Sequence, residues 1–279
     1  FSFEPPLSAW AEPDQLASAM APFQPLQWLK HWSDRHFSFL QMPLAEQSTS
    51  SQLFAHSSGV VVTFWGRLDN RPELIAQLRA APYATDAETV ALAWLKWGEN
   101  CPEHLSGDFA LAIAQPQERL LFLARDIMGV KPLLYRLDAD GLFFANTLAA
   151  FKPLRLGRLT PSRRWMAEYM AEISYHPTQT AYEEVKKLPP AHSLLLHGNG
   201  RVSLRRYHSF ETGSPAATRA EPEFLDAYRA VWQQAVACRV PKIGKIGCEN
   251  SGGLDSGSIT SEVARQLGPE IDRLHGMGF

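Results

Sequence analysis

Lys245-Ile246-Gly247-Cys248-Glu249-Asn250 runs into Ser251-Gly252-Gly253-Leu254-Asp255-Ser256, and Gly257-Ser258-Ile259-Thr260-Ser261-Glu262-Val263-Ala264-Arg265-Gln266-Leu267 follows. The first segment reads as a short, mostly buried strand and the last as an amphipathic helix, with two glycines between them. Strand, glycine loop and helix in that order build a cradle for phosphate. Glycines let backbone N–H groups approach an anion without a Cβ in the way, and the helix N-terminus adds partial positive charge. Ser251 and Ser256 add hydroxyl donors, and Asp255 offers the hard oxygen preferred by the Mg²⁺ that accompanies a triphosphate. The pattern G-x-x-x-x-G-K-S/T is absent, so a Walker-type nucleoside triphosphatase is not indicated. The same residues also read as a plain glycine turn in which Asp255 or Ser256 caps the helix.

A chain of 279 residues, 45% hydrophobic and 20% charged, is long enough for two domains with ordinary cores. Its 27 basic and 29 acidic residues imply no basic face, so nucleic acid is not an expected partner. Cys101, Cys238 and Cys248 show neither metal-ligand spacing nor a disulfide framework, which suits a reducing cytoplasm. No apolar run approaches the roughly 20 residues that span a bilayer, so no membrane partner is expected. The opening Phe1-Ser2-Phe3-Glu4-Pro5-Pro6 lacks the basic start of a signal peptide. At the far end, residues 272–279 read as the second strand of a parallel sheet. Two parallel strands and one helix cannot bury both faces of a sheet, so the chain is expected to be the front part of a longer protein.

Between these ends the first 60 or so residues are the least legible. Leu16 to Met20 and Gln27 to Trp32 have helical spacing, and Phe37 to Met42 reads as a strand. Val60-Val61-Val62-Thr63-Phe64-Trp65 is a buried strand, and a helix starts at Pro72. Thr85 and Glu88 form a capping box for a helix that ends at Gly98; Trp94 and Trp97 on it are core residues. Leu105 to Ala114 and Arg119 to Asp126 read as a hairpin, and Gly129 to Tyr135 and Gly141 to Asn146 continue a meander. Strands in layers with helices between them predict an α/β sandwich. His31 and His36 are five apart and do not share a helical face, and Asp34 between them is the only nearby acid, so a metal site is not expected there.

Ser251 to Ser256 resembles the pyrophosphate loop of the ATP-pyrophosphatase domain in the asparagine synthetase superfamily. That family cleaves ATP between the α- and β-phosphates, forming an acyl-adenylate that an amine attacks. Gly66-Arg67-Leu68-Asp69-Asn70-Arg71, Leu105-Ser106-Gly107-Asp108-Phe109-Ala110 and Arg125-Asp126-Ile127-Met128-Gly129-Val130-Lys131-Pro132-Leu133-Leu134-Tyr135 resemble its N-terminal domain. That domain is a class II glutamine amidotransferase with an N-terminal-nucleophile fold. Leu188-Pro189-Pro190-Ala191-His192, with Arg206-Tyr207, is similar to the family's bridge between domains. These motifs fall in family order over residues 59–279. The resemblance implies an amidotransferase-like domain at 1–210, a linker at 211–222 and the start of an ATP-pyrophosphatase domain at 223–279. It implies ATP and Mg²⁺ as cofactors. Asn250, Ser251, Gly252, Gly253, Asp255, Ser256 and Met277 would bind ATP, with Mg²⁺ at Asp255. The substrate would be a small-molecule or peptide carboxylate, and a homodimer is left open.

The amidotransferase pattern is broken at several points. The family's nucleophile is an N-terminal Cys, and none stands near Phe1. Its oxyanion-stabilising Asn-Gly is replaced by Trp65-Gly66, and losing one oxyanion donor costs roughly 10²–10³ in rate. The Arg that grips the glutamine carboxylate has no counterpart around Leu40-Gln41-Met42. Asp86 does match the acid that binds the glutamine amine, and Gly66 keeps the glycine. The expectation is therefore a vestigial glutamine site at Gly66 and Asp86, no assigned catalytic residue, and an amine taken from ammonia or from the substrate. The same pattern marks β-lactam synthetases and lasso-peptide macrolactam cyclases. The rival is a non-catalytic scaffold or dimerisation module, which would have no reason to keep Ser251, Asp255 and Ser256 beside two glycines.

Overall fold

Apolar residues on both faces of the strand at Val60 to Trp65 require a sheet covered on both sides. The structure, a computed structural model, describes residues 1–2, 13–20, 29–43, 51–155, 157–173, 176–210 and 221–278. It divides into two units, residues 1–210 and 211–279. The first runs α1 (Pro13–Met20), β1 (Lys30–Ser33), β2 (Ser38–Gln41), β3 (Ser51–Ala55), β4 (Val61–Leu68), α2 (Arg71–Leu78) and α3 (Asp86–Trp97). It continues with β5 (Gly107–Gln115), β6 (Leu120–Arg125), β7 (Leu134–Asp138), β8 (Gly141–Ala145), α4 (Arg163–Met170), β9 (Lys186–Lys187), β10 (His192–His197) and β11 (Val202–Arg206).

Six strands pair antiparallel in the order β11-β10-β6-β5-β4-β3, and β8-β7-β9 form a second sheet. Alternation along the strands divides the core. Val62, Phe64, Phe109, Leu111, Ile113 and Phe122 face Leu74 of α2 and Val90, Ala91 and Trp94 of α3. Val61, Ala110, Ala112, Ala114, Leu121 and Leu123 face Leu133 and Leu142, from the second sheet's side. Beyond that sheet, Leu134, Phe151, Leu154 and Val185 pack with Leu16 of α1. Helix, sheet, sheet and helix thus stack in layers, and the expected α/β sandwich is present.

α3 shows how locally this is written. Thr85 Oγ1 accepts from Glu88 N at 3.2 Å, the helix buries Ala87, Val90, Ala91 and Trp94 at helical spacing, and Gly98 ends it at φ +57°. Burying each large apolar side chain contributes roughly 1.5–3 kcal/mol.

Two expectations fail. Residues 30–32 are strand, not helix: Asp34 Oδ1 accepts from His36 N and Phe37 N at 2.8 and 2.7 Å, and this turn folds β1 onto β2 with Trp32 opposite Phe39. Gln27 and Trp28 lie outside the described residues. The meander also breaks after β6, because the loop at 126–132 carries β7 and β8 into the second sheet.

The second unit contains α5 (Glu221–Ala237), β12 (Ile246–Asn250), α6 (Leu254–Leu267) and β13 (Leu274–Gly278). β12 and β13 are parallel, with Ile246 opposite Leu274 and Asn250 opposite Gly278. Val236, Cys248, Val263 and Leu267 form the core under the helices, while Gly247, Glu249, His275 and Met277 on the other face are exposed. Of the expected linker, 211–220 lie outside the described residues and Glu221 and Pro222 already belong to α5, where proline is tolerated in the first turn. Among the described residues no helix is long and apolar enough to cross a membrane.

Candidate functional sites

The motif segments of the first unit interlock. Gly66 has φ +147°, and a Cβ there would stand 2.0 Å from Asp108 O; Gly107 has φ +145°, and a Cβ there would stand 2.2 Å from Arg67 O. Only glycine permits so close an approach from both strands. Arg67 then bridges Asp69 and Asp108 at 2.7 and 2.6 Å. Asp126, fully buried, accepts from Met128 N, Val130 N and Lys131 N at 3.1, 2.9 and 3.0 Å. Arg125 donates to the carbonyls of Gly129, Lys131 and Leu188 at 2.5, 2.7 and 2.8 Å. Tyr207 Oη donates to Arg125 O at 2.5 Å, and burial pushes that phenol up from its usual range. These residues hold the backbone; in them the motif is architecture.

The positions that the resemblance assigns to a glutamine site are engaged by the chain's own side chains. Asp86, at the start of α3, is buried and pushed up to about 6 chiefly by that burial, with the Arg71 guanidinium and the Leu68 N–H opposing it. Arg71 Nε stands 3.6 Å from Asp86 Oδ1, and Leu68 N donates to Asp86 Oδ2 at 3.4 Å. A cation of the chain thus stands beside the carboxylate that the resemblance assigns to a substrate amine. Trp65 packs against the core between the sheets, with Lys131 Nζ 4.7 Å from its ring centroid. An indole in that contact cannot serve as an amide donor to an oxyanion. Gln41, which stands where an arginine was sought, donates to Phe64 O at 3.1 Å and accepts from the Thr63 hydroxyl. Gly66 is held by Asp108 as described. Cys101 is buried and its thiol is pushed far up by that burial, the opposite of an activated nucleophile.

In the second unit the loop between β12 and α6 is exposed from Ser251 to Asp255. Gly252 has φ +77° with nothing within 4 Å of a Cβ position, and Gly253 is the N-cap of α6 without any side-chain capping bond. Ser256 Oγ lies 3.2 Å from Ser251 Oγ, accepts from Ser251 N at 3.3 Å and donates to Gly253 O at 3.3 Å. The Asp255 carboxylate has no partner among the described residues. Neither Asp255 nor Ser256 caps the helix. Asn250 and Met277 end adjacent strands but on opposite faces: Asn250 lies on the α6 side, bonded to Thr260, while Met277 lies across the exposed face near Gly247. The structure therefore gathers Asn250 with the loop and leaves Met277 apart.

Among the described residues no group of three or more His, Cys, Asp and Glu could hold a metal by itself. Asp255 alone fits Mg²⁺ in the way that ion is usually held, by one or two carboxylates plus substrate phosphates. Sequence reasoning missed Arg71, Lys131, Asp126 and Thr260 as partners of these sites. Their positions relative to the residues they touch are set by tertiary packing, and only the i to i+4 step from Ser256 to Thr260 was readable locally.

The family model described as "Glutamine amidotransferase domain" matches residues 32–208, more than half of the chain. Asparagine synthetase (glutamine-hydrolyzing) 3 of Bacillus subtilis (strain 168) is 28% identical over 208 residues, covering 73% of this chain and 33% of that protein. Asparagine synthetase (glutamine-hydrolyzing) 1 of the same strain is 23% identical over 256 residues, covering 89% and 40%. Amidase chry2 of Gibberella zeae is 28% identical over 186 residues, covering 66% and 27%. The chain spans roughly a third of the length of these curated relatives. Its interlocked glycines, its layered sheets and the match over β1 to Tyr207 agree: the chain belongs to the glutamine amidotransferase domain family.

Proposed function

We propose that these residues serve an enzyme that joins a carboxylate to an amine at the expense of ATP. A carboxylate oxygen of the substrate attacks the α-phosphorus, and pyrophosphate leaves with the bridging oxygen. An amine nitrogen then attacks the acyl carbon of the adenylate and AMP departs. The loop at 251–256 would hold the phosphates through backbone N–H groups and the hydroxyls of Ser251 and Ser256. Mg²⁺, held by Asp255 and phosphate oxygens, would neutralise charge on the departing pyrophosphate. The observation that carries this reading is the start of α6. It has no side-chain cap, and the adjacent Asp255 carboxylate is free, an arrangement that suits an anion with its cation and wastes both groups in a mere turn.

The amine would not come from glutamine, because Trp65, Gln41 and the Arg71–Asp86 pair fill the places where that substrate would be gripped. Ammonia or an amine of the substrate itself remains, the latter as in β-lactam and macrolactam synthetases. The setting would be cytoplasmic. Asp255→Asn in the full-length protein should lower ATP–pyrophosphate exchange by at least about a hundredfold, the scale of one lost contact to developing charge, with an unchanged melting curve. Near-normal exchange in that variant would return Asp255 to a structural role and remove the ATP reading.

A further inference from the structure

β11 is the last strand of the six-stranded sheet, with β10 on one side and, among the described residues, no strand on the other. His197 N donates to Arg201 O at 3.0 Å and Tyr207 N to Ala191 O at 2.9 Å. Hydrogen-bonded pairs alternate along an antiparallel ladder, so Ser203 and Arg205 turn their backbone groups towards β10. Val202, Leu204 and Arg206 turn theirs outward. The N–H and C=O groups of these alternate residues are a template for a further strand.

Edge strands are ordinarily blunted by proline, by a bulge or by charge. β11 pairs in unbroken register from Val202 to Arg206, and valine and leucine hold its first two outward positions. Their side chains share the face of Leu194 and Leu196, which are buried, yet Val202 and Leu204 are exposed. Charge lies beside this opening and does not block it. Arg205, on the opposite face, donates to Asn100 Oδ1 at 2.6 Å and pairs with Glu103. Arg206 Nε donates to the His208 carbonyl oxygen at 2.9 Å, and the Arg201 guanidinium has no partner among the described residues. Neither Arg201 nor Arg206 meets a carboxylate there.

A second copy of the edge is a poor occupant, because it would gather the arginines of both copies along one short ladder, and like charges across paired strands repel. A segment that brings carboxylates satisfies the backbone and the cations together. We propose that the outer edge of β11 binds an extended acidic peptide segment as an added strand. Its main chain pairs with Val202, Leu204 and Arg206, and its carboxylates face Arg201 and Arg206. This goes beyond the ATP reading and is independent of it, since no part of the loop at 251–256 takes part.

The test is fluorescence polarisation with the full-length protein, without ATP or Mg²⁺. The probes are a labelled peptide of alternating valine and glutamate and its counterpart with lysine for glutamate. The wild type should bind the glutamate peptide about tenfold more tightly than the lysine peptide, the scale of two exposed charge pairs changing sign. Leu204→Pro removes an outward N–H and no bond to β10, so it should keep the melting curve and weaken the glutamate peptide by more than about tenfold. Arg201→Glu with Arg206→Glu, at exposed positions, should reverse the preference, which keeps the test decisive should Leu204→Pro fail to fold. Hydrogen exchange at Val202 and Leu204 should slow when the glutamate peptide is bound. No binding of the glutamate peptide, equal affinity for both peptides, an unchanged preference after charge reversal, or unchanged binding by a folded Leu204→Pro would each overturn the proposal.

Discussion

An alanine at Gly66 would bring its Cβ within 2.0 Å of the Asp108 carbonyl oxygen, on a backbone at φ +147°. Both atoms belong to paired strands, so relief requires breaking the β4–β5 ladder. Gly66→Ala should cost more than about 4 kcal/mol, read as loss of a cooperative unfolding transition. At Gly257, inside α6, a Cβ meets nothing within 4 Å. Gly257→Ala should there raise stability by about 0.5–1 kcal/mol, measured as a higher urea midpoint. A near-wild-type Gly66→Ala, or a destabilised Gly257→Ala, would contradict these packing accounts. The sequence marked Gly66 only through its motif; the reason for a glycine lies in how closely two strands approach, which no spacing displays. Asp86 carries a second residue-scale expectation. Its pKa is raised from 3.8 to about 6, so between those values the folded chain holds a proton that the unfolded chain has lost. Its contribution to stability is therefore greatest below the lower value, falls as pH rises to about 6, and is flat above. Asp86→Asn removes that slope. The stability of the variant relative to wild type should rise by about 2 kcal/mol between about pH 4.5 and about pH 7. A difference independent of pH would show that Asp86 ionises at its ordinary value. Arg71, which faces it, sits on another helix; the sequence marked it only as the end of a motif, and nothing in its spacing displayed the pairing with Asp86.

At the scale of elements, the turn after β6 decides the topology. Hairpin spacing correctly joined β5 to β6, and the same reading then continued the meander into β7 and β8. What diverts them is Asp126, whose Oδ1 takes Met128 N and Val130 N while Oδ2 takes Lys131 N. One short acid thus satisfies three backbone donors and turns the chain towards the second sheet, carrying Lys131 over Trp65. Asp126→Asn would set an amide N–H against at least one backbone N–H in either orientation of the carboxamide. The expected loss is about 1–3 kcal/mol, from an unsatisfied buried donor. A denaturation midpoint equal to the wild type would mean that the three carbonyl contacts of Arg125 hold the turn unaided. By contrast, α3 and the loop at 251–256 were legible because caps, glycines and hydroxyls act on residues three to five positions away.

Across the whole molecule the two units differ in how much they bury. The first has three apolar clusters, on both faces of the six-stranded sheet and beyond the second sheet. Among the described residues the second has a single small cluster under one face of two strands, and within its unit Phe224, Tyr228 and Val231 of α5 stay exposed at helical spacing. The first unit is thus a well-filled amidotransferase-type domain, and its filling is what argues against glutamine chemistry. Trp65 is pinned under Lys131, Gln41 is spent on Thr63 and Phe64, and Asp86 already faces Arg71. These are three separate obstacles on three elements, so repairing one should not restore the activity. The full-length protein is expected to release no glutamate from glutamine, and Trp65→Asn should release none either. Amide formation, assayed with ATP and the cognate carboxylate, should be supported by ammonium or by the substrate's own amine and should be indifferent to added glutamine. Glutamate release that a thiol-alkylating reagent abolishes would show a working cysteine nucleophile. The packing around Trp65 would then have to open when glutamine binds.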